Sequence, residues 1–226
     1  MTIPASGDSP RLSVIIPAYN EAARILPYLA DIVAYTNRRG MSCEILVVDD
    51  GSVDGTSDVV ERFRATAPHV RVIRHECNSG KGFAVRTGML QARGERCLMA
   101  DADGSIPIAE LSRLDAAIDD GADLAIGSRF MAPQSDRPSP HAKWHRIVLG
   151  HVFNRAIQLL GLNGIPDTQC GFKLFRRAIA GELFGAGTAN GFAFDLEILL
   201  LARHRGYRIA QVPIDWVDQP GSKVRI

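Results

Sequence analysis

Cysteine is scarce in this chain of 226 residues, and none of it is paired at ligand spacing. Cys43, Cys77, Cys97 and Cys170 form no CxxC pair and have no histidine at zinc spacing. That argues against a sulfur-ligated metal, and it reads the four as small buried residues of a reducing compartment. Long apolar runs are also missing: no stretch approaches the ~20 residues that cross a bilayer. Met1–Pro10 is a short polar tail without the hydrophobic segment of a secretory signal. These absences predict a cytoplasmic protein, soluble or peripheral on the inner face of a membrane. Neither sign of charge dominates, with 26 basic against 25 acidic residues and a net charge of +1. A dedicated nucleic-acid binder would carry a strong basic excess, so nucleic acid is not an expected partner. There is no G-x-x-x-x-G-K-[ST] loop for ATP hydrolysis and no G-x-S-x-G elbow for a serine hydrolase. The histidines, at 69, 75, 141, 145, 151 and 204, show neither triad nor metal spacing.

What remains is a regular alternation of strand and helix signals. Short apolar, β-branched runs at 12–16, 44–48, 70–74, 96–99 and 123–126 predict strands. Helical patterns fill the intervals at 22–36, 56–65, 82–92 and 108–118. Continuously apolar strands between helices mean a mostly parallel sheet covered on both faces. The predicted fold class is α/β, doubly wound, with ligands bound beyond the carboxyl ends of the strands. The second half is less regular. Residues 131–142 hold three prolines and read as a surface loop. A helix is expected over 143–160, a strand over 171–175, a helix over 194–205 and a closing strand over 208–213. The length suits one domain, from residue 11 to 226, after a tail of ten residues.

Polar clusters fall at the predicted strand ends. Asp101-Ala102-Asp103 follows the fourth strand. Residues two apart in extended chain face one side, so these carboxylates can share a hard cation, Mg²⁺ or Mn²⁺. Such an ion completes its shell with substrate phosphates, which suits a nucleoside diphosphate; loop-capping aspartates are the plainer reading. Asp49-Asp50-Gly51-Ser52 follows the second strand and can contact a base or ribose, or simply form a turn and cap the next helix. Lys81 opens a helix after a glycine-bearing turn, a place that attracts phosphate, or is a solvent-facing lysine on a plain turn. Arg129, at the end of the fifth strand, has the forked geometry for a phosphate, though taken alone it reads rather as an ordinary surface arginine, and Arg146 begins a helix whose apolar surroundings also fit a snorkelling side chain. Asp195 and Glu197 are either acid/base groups or first-turn acids of a helix, and at least one is read as structural.

Taken in order, VIIPAYNE (14–21), VVDDGSVDGT (47–56), NSGKGFAVRTGM (78–89), DADGS (101–105) and GSRF (127–130) resemble glycosyltransferase family 2, whose members have a GT-A fold. The later segments DTQCGFKLFRR (167–177), FAFDLEILLLA (192–202) and VPIDWVDQPGSKV (212–224) resemble the dolichyl-phosphate β-glucosyltransferases within it. The Gln-His-Pro stretch usual in the related mannose synthases is absent, and Ser105 stands where they often carry a glutamine metal ligand.

The resemblance implies an inverting, metal-dependent transferase that moves a hexose from a UDP-hexose to a polyprenyl monophosphate at a membrane surface. Pro17, Ala18, Tyr19, Glu21, Asp49 and Asp50 would hold the nucleoside, and Lys81, Asp101 and Ala102 would complete the donor site. Asp101 and Asp103 would bind Mg²⁺ or Mn²⁺. Arg129 and Arg146 would meet the acceptor phosphate, with Asp103 and Arg129 assisting the reaction. Residues 11–130 would form the nucleotide-sugar half and 131–226 the acceptor half. Trp144 and Phe153 are candidate membrane anchors, or ordinary core residues. A soluble acceptor would instead need a base, for which Asp195 is the candidate. GDP-mannose as donor, and a non-catalytic nucleotide-sugar binding module, are the other readings. The oligomeric state is left open.

Overall fold

The computed structural model describes residues 9–131, 162 and 164–217. The Pro-rich loop, the expected helix over 143–160, and with them Trp144, Arg146 and Phe153, lie outside these residues.

The chain runs β1 (Leu12–Ala18), α1 (Ile25–Arg38), β2 (Cys43–Asp49), α2 (Thr56–Arg64), β3 (Val70–Arg74), α3 (Lys81–Gln91) and β4 (Arg96–Ala100). It continues through a 3₁₀ turn (Ile108–Glu110), α4 (Leu111–Asp119) and β5 (Leu124–Ser128). After the undescribed stretch come β6 (Phe172–Arg176), α5 (Arg177–Ala186), α6 (Phe194–His204) and β7 (Ile209–Pro213). The strands form one sheet in the order β3-β2-β1-β4-β6-β5-β7. Successive side chains of a strand point to opposite faces. Accordingly Val14 and Ile16 pack with α1, α2 and α4 on one side. Ile15, Leu46, Val48 and Met99 pack with α3, α5 and α6 on the other. Burial on both faces is why β1 and β2 read as unbroken apolar runs.

Two departures from the sequence expectation bear on the site. First, β1 continues through Pro17 to Ala18, where the pattern ends it at Ile16. Pairing with β4 stops at Ile15, so residues 16–18 are laddered to β2 alone and a missing N–H is tolerated there. Second, β6 is antiparallel to both β4 and β5, in a sheet whose other pairs are parallel. The chain re-enters at the carboxyl edge, where Asp167 bonds the backbone of Arg129, and can only run back down between its neighbours. Helix α5 has no counterpart in the sequence reading, because Gly181 and Gly185 blur its periodicity. No helix among the described residues is long and apolar enough to cross a membrane.

The sheet edge near β1 is closed by a buried carboxylate. Glu44 accepts from Ser13 Oγ at 2.6 Å, from the Arg93 amide at 2.7 Å and from the Arg93 guanidinium at 3.0 Å. Ser13 Oγ in turn accepts from Gly94 N at 2.8 Å. A Cβ on Gly94 would stand 2.5 Å from Ser13 N and 2.7 Å from Leu12 C, both backbone atoms that cannot yield. Gly94→Ala is therefore expected to cost about 2 kcal/mol, the range of overpacking. The melting temperature should fall by roughly 4–8 °C for a domain of this size. A thermal melt unchanged within 1 °C of wild type, a margin of about 0.3–0.5 kcal/mol, would rule that contact out as a constraint.

Candidate active site

The strand order reverses between β1 and β4: the chain winds from β1 out to β3, then crosses to the far side of β1. In such sheets the crevice at the reversal is the ligand site. Here an open cavity of about 430 Å³ occupies it. Pro17, Ala18, Tyr19 and Glu21 line it from the end of β1, Asp50 from β2, Lys81 from α3, and Asp101, Ala102 and Asp103 from β4. Nine of the residues singled out in the sequence thus meet around one space. A shallower apolar hollow of about 490 Å³ runs along α6 past Leu196 and Leu200, away from these groups.

Asp50 shapes the cavity floor. Its carboxylate accepts from Ser79 N at 3.0 Å and Gly80 N at 2.8 Å, and pairs with His75 Nδ1 at 2.8 Å. An ionised carboxylate offers about four lone-pair directions, so most of its capacity serves to fasten the loop that begins α3. Asp49, next to it, faces elsewhere. It is fully buried and accepts from Ser52 N at 2.9 Å and from Ser57 Oγ. Asp49 does not line the cavity; among the alternatives open in the sequence it takes the turn-and-helix role.

Lys81 Nζ lies 2.6 Å from Asp101 Oδ1. Burial alone would lower the pKa of this lysine, but Asp101, Asp195 and Asp103 together hold it above the ordinary lysine range. On its other side Asp101 rests on Gly171, where a Cβ would overlap the carboxylate. Asp103 accepts from Ser105 N at 3.0 Å through Oδ1. Tyr28 stands beneath, its phenol pushed far up by burial and by Asp101 and Asp103. Among the described residues no group of three or more His, Cys, Asp or Glu is placed to hold a metal. Two carboxylates are what the protein itself offers. That donor set fits a hard divalent ion that takes one or two protein carboxylates and finishes its shell on phosphate.

Arg24 is a cavity residue that the sequence reading missed. It donates to Glu21 through Nε and Nη2, both at 2.7 Å, while its buried Nη1 has no partner among the described residues. The E-x-x-R spacing, one turn apart, is the signal that pointed to it. Phe192 and Gly191, just before α6, also line the cavity and carry no such signal.

Arg129 is outside the lining. Its backbone N–H, Nε and Nη2 all donate to Asp167, at 2.9, 2.8 and 2.8 Å. The hydrogen bonds to Asp167 hold its pKa far up. The guanidinium also stands 6.0 Å from the ring centre of Trp216. Arginine has donors to spare beyond one carboxylate, so this clamp fixes the side chain without exhausting it. Glu197 accepts from Thr188 N and Oγ1 and from Ala189 N, a structural task. Asp195 is buried against Lys173.

The model of the family described as "Glycosyl transferase family 2" matches residues 13–184. Among curated relatives, dolichyl-phosphate beta-glucosyltransferase ALG5C of Trichomonas vaginalis is 38% identical over 224 residues, 94% of this chain and 65% of that protein. The human dolichyl-phosphate beta-glucosyltransferase is 35% identical over 236 residues, 99% of this chain and 73% of that one. The chain thus spans less than two thirds of the first relative's length. Among solved structures, a mannosyltransferase from Pyrobaculum calidifontis in complex with GDP-Man and Mn²⁺ superposes with a TM-score of 0.66 at 22% identity, covering 95% of this chain and 59% of that one. Glucosyl-3-phosphoglycerate synthase from Mycobacterium tuberculosis, in complex with Mn²⁺ and UDP-glucose, gives 0.65 at 21% identity over 93% of this chain and 72% of that one. These likenesses establish the fold.

Asp50→Asn keeps the shape of the side chain but turns one acceptor into a donor facing N–H groups. We expect a loss of about 2 kcal/mol, in the range for unsatisfied buried donors. Amide hydrogen exchange should speed up across residues 78–83 while β2 (Cys43–Asp49) stays protected. Unchanged exchange in that loop would show that Asp50 does not hold it.

Proposed function

The chain belongs to glycosyl transferase family 2, and on that premise we propose that it transfers glucose from UDP-glucose to a polyprenyl or dolichyl monophosphate, giving a β-linked lipid-phosphate sugar. The observation that carries this reading is the meeting of Tyr19, Asp50, Lys81, Asp101 and Asp103 around one cavity at the strand-order reversal, in a chain whose relatives are named dolichyl-phosphate beta-glucosyltransferases.

Pro17, Ala18, Tyr19 and Glu21 wall the nucleoside, with Asp50 fixing the loop beneath it. Lys81, at the start of α3, reaches the diphosphate, where the helix N-terminus adds its own attraction for anions. Asp101 and Asp103 hold Mg²⁺ or Mn²⁺, which when bound supplies Lewis-acid stabilisation of the leaving diphosphate. Residues 11–130 carry the donor, and residues 131–226 receive the acceptor. Arg129, clamped by Asp167, and Arg146 take the acceptor phosphate. A phosphate monoester has its second pKa near ~6, so the attacking oxygen is anionic at neutral pH. It attacks the anomeric carbon opposite UDP; the bond to the diphosphate oxygen breaks, UDP leaves, and the configuration inverts. No proton has to be removed from the nucleophile. Orientation and fixed positive charge then do most of the catalysis. The lipid tail stays in the bilayer, so the reaction takes place at the membrane surface, on the cytoplasmic side.

The test is to incubate the protein with radiolabelled UDP-glucose, Mg²⁺ and a polyprenyl phosphate, and to count label in the organic phase. Label that disappears with EDTA supports the proposal. Label that appears only with a water-soluble acceptor would overturn the lipid assignment. In the same assay Asp103→Asn should lower turnover by on the order of 10²–10³, the scale of removing one charge-stabilising group. Its thermal melt should match wild type, and turnover near wild type would refute the metal assignment.

A further inference from the structure

Glu21 is fixed at every polar atom it has. Its N–H donates to Thr56 Oγ1 at 2.9 Å, and its carbonyl accepts from Arg24 N at 2.9 Å and Ile25 N at 3.0 Å. One carboxylate oxygen accepts from Arg24 Nε and the other from Arg24 Nη2, both at 2.7 Å. The residues on either side are pinned as well: Asn20 N donates to Ser52 Oγ at 2.8 Å and Ala22 N to the Asp54 carboxylate at 3.1 Å. Both side chains of the pair line the cavity, and both are mostly enclosed, Arg24 22% and Glu21 11% exposed.

Stability does not account for this arrangement. Helix α1 has no side-chain cap and no acid in its first turn, so the Glu21 carboxylate does not serve the helix amides. Ion pairs near a surface add little, and this one leaves Arg24 Nη1 buried without a partner among the described residues, which is unfavourable. Position points to a ligand instead. Residues 20–22 are bonded to residues 52–56, which follow β2. Strand β1 lies between β2 and β4, so Glu21 is tied to the side of β1 away from Asp101 and Asp103. Asp50, the other acid on that side of the cavity, already serves Ser79 N, Gly80 N and His75. A carboxylate has about four acceptor positions. The arginine fork occupies one on each oxygen of Glu21 and leaves one on each. Two acceptor positions on one rigid carboxylate match a pair of vicinal hydroxyls, and acids in other α/β nucleotide sites take ribose hydroxyls in this way.

We propose that Arg24 is a positioning residue for donor recognition: its fork locks the Glu21 carboxylate so that the two remaining acceptor positions receive the 2′- and 3′-hydroxyls of the donor's ribose. The inference rests on the reading of the cavity as a nucleotide-sugar site. Arg24 itself touches no donor atom. Its Nε and Nη2 are engaged with Glu21, and its Nη1 is enclosed by protein. Without the fork the Glu21 side chain regains its rotamers, and ordering it again on binding weakens the contact to the ribose. A nucleotide without those hydroxyls never makes the contact and has nothing to lose.

The experiment is isothermal titration of the protein with UDP and with 2′,3′-dideoxy-UDP, both with Mg²⁺ present. Wild type should bind UDP more tightly by on the order of thirtyfold, the scale of hydrogen bonds to a charged group. Arg24→Ala should weaken UDP about tenfold and dideoxy-UDP less than about threefold, the range of a coupling between contacting residues. Arg24→Lys keeps the charge without the fork and should behave like Arg24→Ala; it also serves if the alanine variant fails to fold. Arg24→Ala/Glu21→Gln should bind UDP no more weakly than Glu21→Gln alone, because Arg24 acts through Glu21.

UDP and dideoxy-UDP weakened by the same factor in both Arg24 variants would make the arginine an ordinary part of the wall and overturn the proposal. Full discrimination in Arg24→Lys would overturn it too, since charge without orientation would then suffice. Equal binding of the two nucleotides by wild type would remove the ribose contact while the donor reading stands. No binding of UDP by wild type would refute the donor reading itself, and this inference with it.

Discussion

The carboxylate of Asp50 joins three elements that are far apart in the chain. It stands at the end of β2, takes the amide hydrogens of Ser79 and Gly80 where α3 begins, and holds His75 at the end of β3. Gly51, its neighbour, sits so close to Cys77 that a Cβ would be 2.5 Å from the Cys77 carbonyl carbon. The β2 turn and the approach to α3 are thus one packed unit. Lys81 inherits its position from that unit, and the pairing with Asp101 follows. The loop that begins α3 is fastened by this single buried acid.

A second clamp of the same kind stands at the end of β5. Asp167 takes the backbone and side-chain N–H groups of Arg129. That interaction also fixes where the chain turns into β6, and so why β6 runs against its neighbours. The antiparallel strand is what brings Gly171 against Asp101 and Lys173 under Asp195. The Asp101 carboxylate, the buried ion pair and the arginine clamp are therefore tied to one short segment, residues 167–173. A substitution there would be felt at both ends of the site.

The distribution of charge follows from burial. Lys81 and Asp101 are partly exposed and accessible to ligand, whereas Lys173 and Asp195 are enclosed. Interactions inside are little screened, while those at the rim weaken with salt. The enclosed pair is little screened by salt, whereas the rim pair is open to it.

Periodicity and punctuation alone determined that β1 to β5 alternate with helices, because strands buried on both faces must be apolar throughout and their ends must be polar. The same reading located Tyr19, Asp50, Asp101 and Asp103, since each follows a strand and ligand-facing groups collect at strand ends, and Lys81, since it opens a helix after a glycine-bearing turn. It placed Asp49 and Asp50 together and could not separate them: adjacent residues point opposite ways, and only the packed turn shows that Asp49 faces Ser57 while Asp50 faces the cavity. Arg24 escaped it because the pattern reads it as a polar position inside a helix over 22–36, whereas the helix starts at Ile25 and the pairing with Glu21 depends on the local backbone. The direction of β6, the clamp of Asp167 on Arg129 and the approach of Lys173 to Asp195 join residues 22 to 80 apart in sequence. Those contacts come from strand order and from which chain end meets which edge, and a linear pattern does not encode either. The chain's own sequence therefore specified the layers and the groups at their rim, while the tertiary structure decided which of those groups face one another.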